Sequence, residues 1–191
     1  MKLEGVRVID LSMYLPGPHL TLMMADHGAD VLRVEPPGGE PARKYGPFQD
    51  GHSVWFRNTH RGKKSICINL KTDADREQLL KLCETADVFV EAFRPGVVKR
   101  LGVDYDAVKA RNPKIIYCSV SAFGQTGPLS GNPTHDMGAQ ALTGLLAIND
   151  GGDGKPVVPG LPGAGMGSSL VGLSGILMAL YRRGKTGVGD Y

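Results

Sequence analysis

VRVIDLSMYLPGPHLTLMMADHGADVLRVEPP, residues 6–37, carries most of the information about the fold. Residues 6–12 form a β-branched run of the kind that makes a buried strand. Pro16-Gly17-Pro18 breaks it, and Pro18 suits a first helical turn, where a missing N–H costs nothing. Residues 19–29 place apolar side chains at helical spacing, with Gly28 near the end. Residues 30–37 are a second strand, stopped by Pro36 and Pro37. A strand, a helix and a strand this close together form a crossover unit, and crossover units imply a parallel sheet.

The rest of the chain repeats the theme. Further strands are predicted at 65–70, 87–93 and 114–124, and a strand or extended segment at 156–163. Helices are predicted at 74–85 behind a Thr72 or Asp73 cap, and at 97–101, 105–111 and 137–147. The last helix is predicted at 166–183, with Gly184 as its stop. Residues 124–136 are a long Gly- and Pro-rich loop, and 184–191 reads as a turn opening a new strand, as in a fragment of a longer chain. The expectation is an α/β fold: one Rossmann-like parallel sheet over residues 1–191, flanked by helices.

Composition narrows the function. With 191 residues, 41% hydrophobic and 21% charged, the chain has globular values. A net charge of +3 argues against a dedicated nucleic-acid binder and fits an anionic small molecule. Cys67, Cys83 and Cys118 are odd in number and match no metal or redox spacing, which points to a reducing, cytoplasmic setting without a metal. The N-terminus lacks the apolar core of a signal peptide. The apolar run 166–181 falls short of the about 20 residues that span a bilayer.

The first strand–helix turn, S-M-Y-L-P-G-P, lacks the G-x-G-x-x-G of dinucleotide enzymes. G-A-G-M-G at 163–167 is a weak substitute and equally consistent with close backbone packing. Arg33, Arg43, Arg94 and Arg100 belong to a basic set in the first hundred residues, several just after predicted strand ends, where open α/β sheets bind ligands. Arg94 is the strongest of these: it follows Phe93 at a strand end, and Pro95-Gly96 fixes its backbone. His135 and Asp136 stand where the long loop meets a helix. Asp136 suits an N-cap and His135 an acid or base near neutral pH.

In order along the chain come LEGVRVIDLS, HGADVLRVEPPGGEPAR, NTHRGKKSICINLK, ADVFVEAFRPGVVKRLGVDY, NPKIIYCSVSAFGQTGP, HDMGAQALTGL and GILMALYRRGKTGVGDY. With these motifs the chain resembles the N-terminal part of family III CoA-transferases, also called the CaiB/BaiF family, which includes the α-methylacyl-CoA racemases. The resemblance implies a CoA-binding large domain and, in a full-length protein, an interlocked homodimer. It implies acyl-CoA and a carboxylic acid as partners, with coenzyme A as the transferred group. In the family an aspartate attacks the acyl-CoA thioester and passes through an anhydride and an aspartyl-CoA thioester. Counting back from Gly175-Ile176-Leu177, that aspartate position falls on Gly165, so the expected nucleophile is missing. The resemblance further places Phe93, Arg94 and Arg100 along the adenine and phosphates, with Ala92 where an Asn is frequent. Arg33 and Arg43 fall near the adenine end, and Met13, Leu15 and Pro16 near the pantetheine path. His135 with Asp136 matches the acid/base pair of racemase-like members. The alternatives are an acyl-CoA racemase using His135, a non-catalytic CoA-binding or dimer-forming fragment, and a dinucleotide oxidoreductase using 163–167.

Overall fold

Five parallel strands make the central sheet of the computed structural model, which describes residues 1–149 and 151–191. The chain begins β1 (Arg7–Asp10), α1 (Pro16–Asp26), β2 (Asp30–Glu35), as the opening stretch requires. A 3-10 turn at Pro41–Lys44 and a hairpin of β3 (Phe48–Gln49) and β4 (His52–Ser53) lead into α2 (Val54–His60). Then follow β5 (Lys64–Cys67), α3 (Asp73–Cys83), β6 (Val88–Glu91), α4 (Val97–Arg100), α5 (Tyr105–Arg111) and β7 (Ile116–Ser119). The last helices are α6 (Asp136–Leu142), α7 (Leu145–Ile148) and α8 (Gly163–Thr186).

The sheet order is β5-β2-β1-β6-β7. Counted along the chain, the sheet strands stand 3-2-1-4-5, the doubly wound arrangement. Side chains alternate between two cores, because successive residues of a strand face opposite ways. Ile9 and Phe89 pack with Leu79, Leu80 and Cys83 of α3 and Val108 of α5. Val8, Val88 and Val90 pack with Leu20 and Met24 of α1 and Ile176 of α8. Each fully buried side chain of this size contributes roughly 1.5–3 kcal/mol. The start of α1 lies tight on the turn that precedes it: a Cβ built on Gly17 would fall 2.1 Å from Ser12 Cβ, so only glycine fits there.

The structure corrects several expected boundaries. Helix α8 starts at Gly163 rather than 166 and runs through Gly184; Gly187, at φ +72°, is its stop. The predicted 137–147 helix is two short ones, divided at Gly144, φ +80°. The predicted 114–124 strand ends at Ser119. The hairpin and α2 were not expected. The cue for α2 was Ser53, whose Oγ accepts the Phe56 N–H as an N-cap. Asp190 makes a parallel bridge to Ile116, in the sixth sheet position. Within α8 an 18-residue stretch reaches a mean hydropathy of 1.5, and the helix is long enough to cross a membrane, unlike the shorter run read from the sequence; here it packs along α1.

Candidate active-site crevice

The order in which strands are added reverses at β1 and β6, which lie parallel, so their carboxyl ends open a crevice. β1 delivers the turn Leu11–Leu15 to this point. β6 delivers Ala92, Phe93 and Arg94. The first turns of α6 and α8 arrive beside the β1 turn from the far end of the sequence.

Contacts between these segments are specific. Ser169 Oγ, in the first two turns of α8, donates to Pro16 O at 2.8 Å and to Gly165 O at 2.9 Å. The Gly165 N–H donates to Asp136 Oδ1 at 2.7 Å. Gln140 Nε2 binds the other Asp136 oxygen. A Cβ built on Gly165 would lie 2.8 Å from Leu15 Cδ2 and 3.6 Å from Asp136 Oδ1. Thus Pro16, Asp136 and Gly165, 149 residues apart at the extremes, meet at one place. Asp136 is not the N-cap of its own helix as the sequence suggested. His135 takes that position, without a side-chain cap bond, and the Asp136 carboxylate serves the N-terminus of α8 instead. His135 is exposed beside it.

Phe93 lines an apolar slot of about 220 Å³ under the carboxyl edge of the sheet, with Leu11, Met13, Val34, Ile68 and Leu101. Asn69 and Lys71 give it a polar side. Arg94 and Arg100 are exposed, and among the described residues neither pairs with a carboxylate. The Arg100 guanidinium folds back to 3.7 Å from the Cβ position of Gly96. These two cations remain free to meet an anion.

The other two predicted arginines are already paired with carboxylates. Arg33 is 1% exposed; it donates to Glu40 Oε2 at 2.7 Å and to Asp10 O at 3.0 Å. It is a buried strut, because a guanidinium on a central strand needs full pairing. Arg43 makes a two-bond clamp on Glu35, at 2.7 and 2.6 Å, and lies over the Phe56 ring. The Arg43 hydrogen bond leads in holding the Glu35 carboxyl down at about 2, against the opposing effect of burial. G-A-G-M-G at 163–167 lies inside the first turn of α8 and follows no strand, so it lacks the setting of a dinucleotide loop.

Sequence reading missed the charges beneath the β1 turn: Asp10, Glu40, His60 and Lys63 are all buried. Burial would raise the Asp10 carboxyl, but Lys63, Arg33, Ser12 and Thr21 hold it well below the usual carboxylate range. The available signal was the Asp ending an otherwise apolar strand, VRVID, which must find a partner.

This architecture defines a doubly wound α/β protein with its candidate site at the β1–β6 switch point. The chain belongs to CoA-transferase family III, whose sequence profile matches residues 3–191. It is 42% identical over 190 residues to the acetyl-CoA:oxalate CoA-transferase of Acetobacter aceti, covering 98% of this chain and 49% of that protein. It is 40% identical over 199 residues to the succinyl-CoA:mesaconate CoA-transferase of Haloarcula marismortui, covering 99% and 50%. The crystal structure of a CAIB/BAIF family protein from Brucella suis superposes with a TM-score of 0.93 at 35% identity, over 98% of this chain and 51% of that one. Rv3272 from Mycobacterium tuberculosis superposes with a TM-score of 0.91 at 36% identity, over 98% and 52%. The chain therefore spans about half the length of the relatives it matches.

Proposed function

We propose that this chain is the CoA-binding half of a CoA-transferase acting between an acyl-CoA and a carboxylic acid. The observation that carries the reading is the meeting of the Pro16 turn, Asp136 and the Gly165 loop after β1; an apolar slot lined by Met13 of the same β1 turn and by Phe93, and the unpaired Arg94 and Arg100 that follow Phe93 in the chain, support it. The slot suits the flat apolar face of an adenine, and Arg94 and Arg100 suit phosphates. Calorimetry with CoA tests this: the chain binds, and Arg94→Ala with Arg100→Ala binds more weakly. Unchanged affinity in the double variant overturns the assignment.

In the proposed reaction a carboxylate displaces CoA thiolate from the acyl-CoA and leaves a mixed anhydride. The thiolate then attacks the protein carbonyl, expels the acyl group as its carboxylic acid, and leaves a protein–CoA thioester. No carboxylate exists at position 165 to begin it, so the chain as it stands is expected to bind without turnover. Gly165→Asp, treated with acetyl-CoA or succinyl-CoA, is expected to gain the mass of CoA and lose it to hydroxylamine. Binding without that adduct would place the nucleophile elsewhere.

A racemase-like reading has one observation in its favour: His135 is exposed next to Asp136 at the crevice. Exchange of the acyl α-proton with heavy water, lost in His135→Ala, would support it. Association into a dimer is part of the proposal. Leu142, Ile148, Val171, Met178 and Tyr181 expose a broad apolar surface on α6 to α8. The three free cysteines suit a reducing cytoplasm.

A further inference from the structure

Beneath the β1 turn the buried charges close into a ring. Lys63 Nζ donates to Asp10 Oδ2 at 3.1 Å and to Pro18 O at 2.8 Å, and stands 3.3 Å from His60 Nδ1. His60 Nε2 faces Glu40 Oε2 at 3.1 Å, off the line of a good hydrogen bond. Arg33 grips the same Glu40 oxygen through Nε at 3.2 Å and Nη2 at 2.7 Å. It returns to Asp10 through O at 3.0 Å and Oδ1 at 3.7 Å. Lys63 Nζ also donates to Thr21 Oγ1 at 2.8 Å; a lysine offers no acceptor, so the His60 Nδ1 that faces it carries no hydrogen and Nε2 carries it on the Glu40 side. Two cations thus balance two carboxylates across a neutral histidine, which is what burial of four charges demands.

One acceptor of the ring points out of it. Glu40 Oε1 accepts the backbone N–H of Tyr14 at 2.8 Å. Tyr14 has φ +68°, a left-handed conformation that a bulky side chain adopts only when its surroundings impose it. The next two residues touch α8: Leu15 fills the space at Gly165, and Pro16 O accepts from Ser169.

We propose that Glu40 is a positioning residue for the crevice. The ring fixes Glu40, Glu40 fixes the left-handed turn at Tyr14, and the turn sets where the first turn of α8 stands. The placement concerns this chain alone; only its consequence for CoA transfer rests on the proposed function. That consequence is a relay from a buried ion network to position 165, through Leu15, with no ring residue in the crevice itself.

Hydrogen exchange of individual amides in the unliganded chain tests the relay. In the parent the Tyr14 and Gly165 amides should be protected. Glu40→Ala should speed exchange at Tyr14, Gly165 and Met166 at least tenfold, with the β6 amides of Val88–Glu91 unchanged. Glu40→Gln, which keeps an oxygen for Tyr14, should restore Tyr14 protection. Leu15→Ala leaves the ring intact. It should speed Gly165 and Met166 while Tyr14 stays protected, and this variant decides the matter even if Glu40→Ala does not fold. An unprotected Tyr14 amide in the parent overturns the proposal. So does an α8 start unaffected by Leu15→Ala. None of these readouts uses CoA, so a failure to bind CoA is a separate result.

Discussion

The sheet with its first three helices and the 124–191 segment are built by opposite rules. In the first, polar groups are taken inside and matched one for one: Asp10, Arg33, Glu40 and Lys63 lie buried with partners within 2.7–3.1 Å. In the second, apolar side chains are left outside. Val171 is 74% and Ile148 76% exposed, and of the 24 residues of α8 only Ser169 and Ile176 are buried. The first region's stability depends on correct pairing. The second has a helix apolar on nearly every side yet packed on one, a surface suited to being covered.

The sharpest way to break this contrast is to remove one member of the ring. Lys63→Ala leaves the Asp10 carboxylate buried beside a single cation at 3.7 Å, and is expected to cost about 3–5 kcal/mol. Val171→Lys on the outer face of α8 should change stability by no more than about 0.5 kcal/mol while reducing self-association. Urea unfolding and sedimentation of the two variants give both readings. Comparable losses of stability would mean that the two regions are not built differently.

Legibility divided along the same line. The parallel sheet was readable because VRVID and DVLRVE are short, β-branched and separated by one helix, and local pattern is enough for that. That Phe93, Arg94 and Arg100 follow the end of β6 was readable from the apolar run DVFVE that precedes them. That Arg33 and Arg43 are already paired was not readable, for a physical reason. A sequence shows that a cation is present but not that a carboxylate seven or eight residues away, Glu40 or Glu35, already holds it. The Gly165–Asp136–Leu15 junction joins three distant segments and no spacing rule reaches it. Gly184 was taken for the end of α8 because glycine commonly ends helices; packing along α1 and β7 carries the helix past it to Gly187.

A smaller effect separates free from engaged cations. Arg94→Ala with Arg100→Ala should weaken CoA binding on the order of tenfold, about 1.4 kcal/mol. The loss should grow at low salt, where phosphate contacts are least screened. Arg43→Ala should leave CoA affinity unchanged and cost stability, because its guanidinium is committed to Glu35. A drop in CoA affinity from Arg43→Ala would return that residue to the site.

Acid should loosen the ring. Burial leads in lowering the His60 pKa, and Lys63 adds to it; Glu40 and Asp10 oppose, and the Phe56 ring stacks on it at 4.3 Å. The folded state therefore resists a proton that the unfolded chain accepts. Stability is full above the ordinary histidine value of 6.5 and falls as pH drops from there toward the folded value. His19, lowered first by burial, acts in the same sense. Glu35 adds a second loss, from 4.5 down to about 2, as its clamp with Arg43 is protonated away. Urea midpoints at pH 7.5 should exceed those at pH 5.5, with a smaller gap in His60→Gln. An equal gap in both proteins would remove His60 from the account.

A comparably small change in stability is expected at the junction of the two regions. Gly165→Asp puts a side chain where Leu15 Cδ2 is 2.8 Å from the new Cβ, but that is the end of a flexible side chain and can rotate away. Position 165 is helical, so the backbone accepts an aspartate without strain. The α8 N-terminus favours the new anion by about 0.3–1 kcal/mol. Asp136, whose Oδ1 is 3.6 Å from that Cβ, opposes it by like charge. The two effects nearly cancel, so at pH 7 stability should change by less than about 1 kcal/mol. The residual sign is readable from pH. If Asp136 dominates, the folded pKa of the new carboxyl is raised. Its favourable contribution is then present below about pH 3.9 and lost as pH rises through the folded value. Gly165→Asp would accordingly compare better with the parent at pH 4 than at pH 7. If the helix end dominates, the order reverses. Asp136→Asn in the Gly165→Asp background separates the two, since it removes the opposing charge and should stabilise at pH 7. Destabilisation by that second change would show that Asp136, as the acceptor of the 165 N–H, holds the junction more than its charge disturbs it.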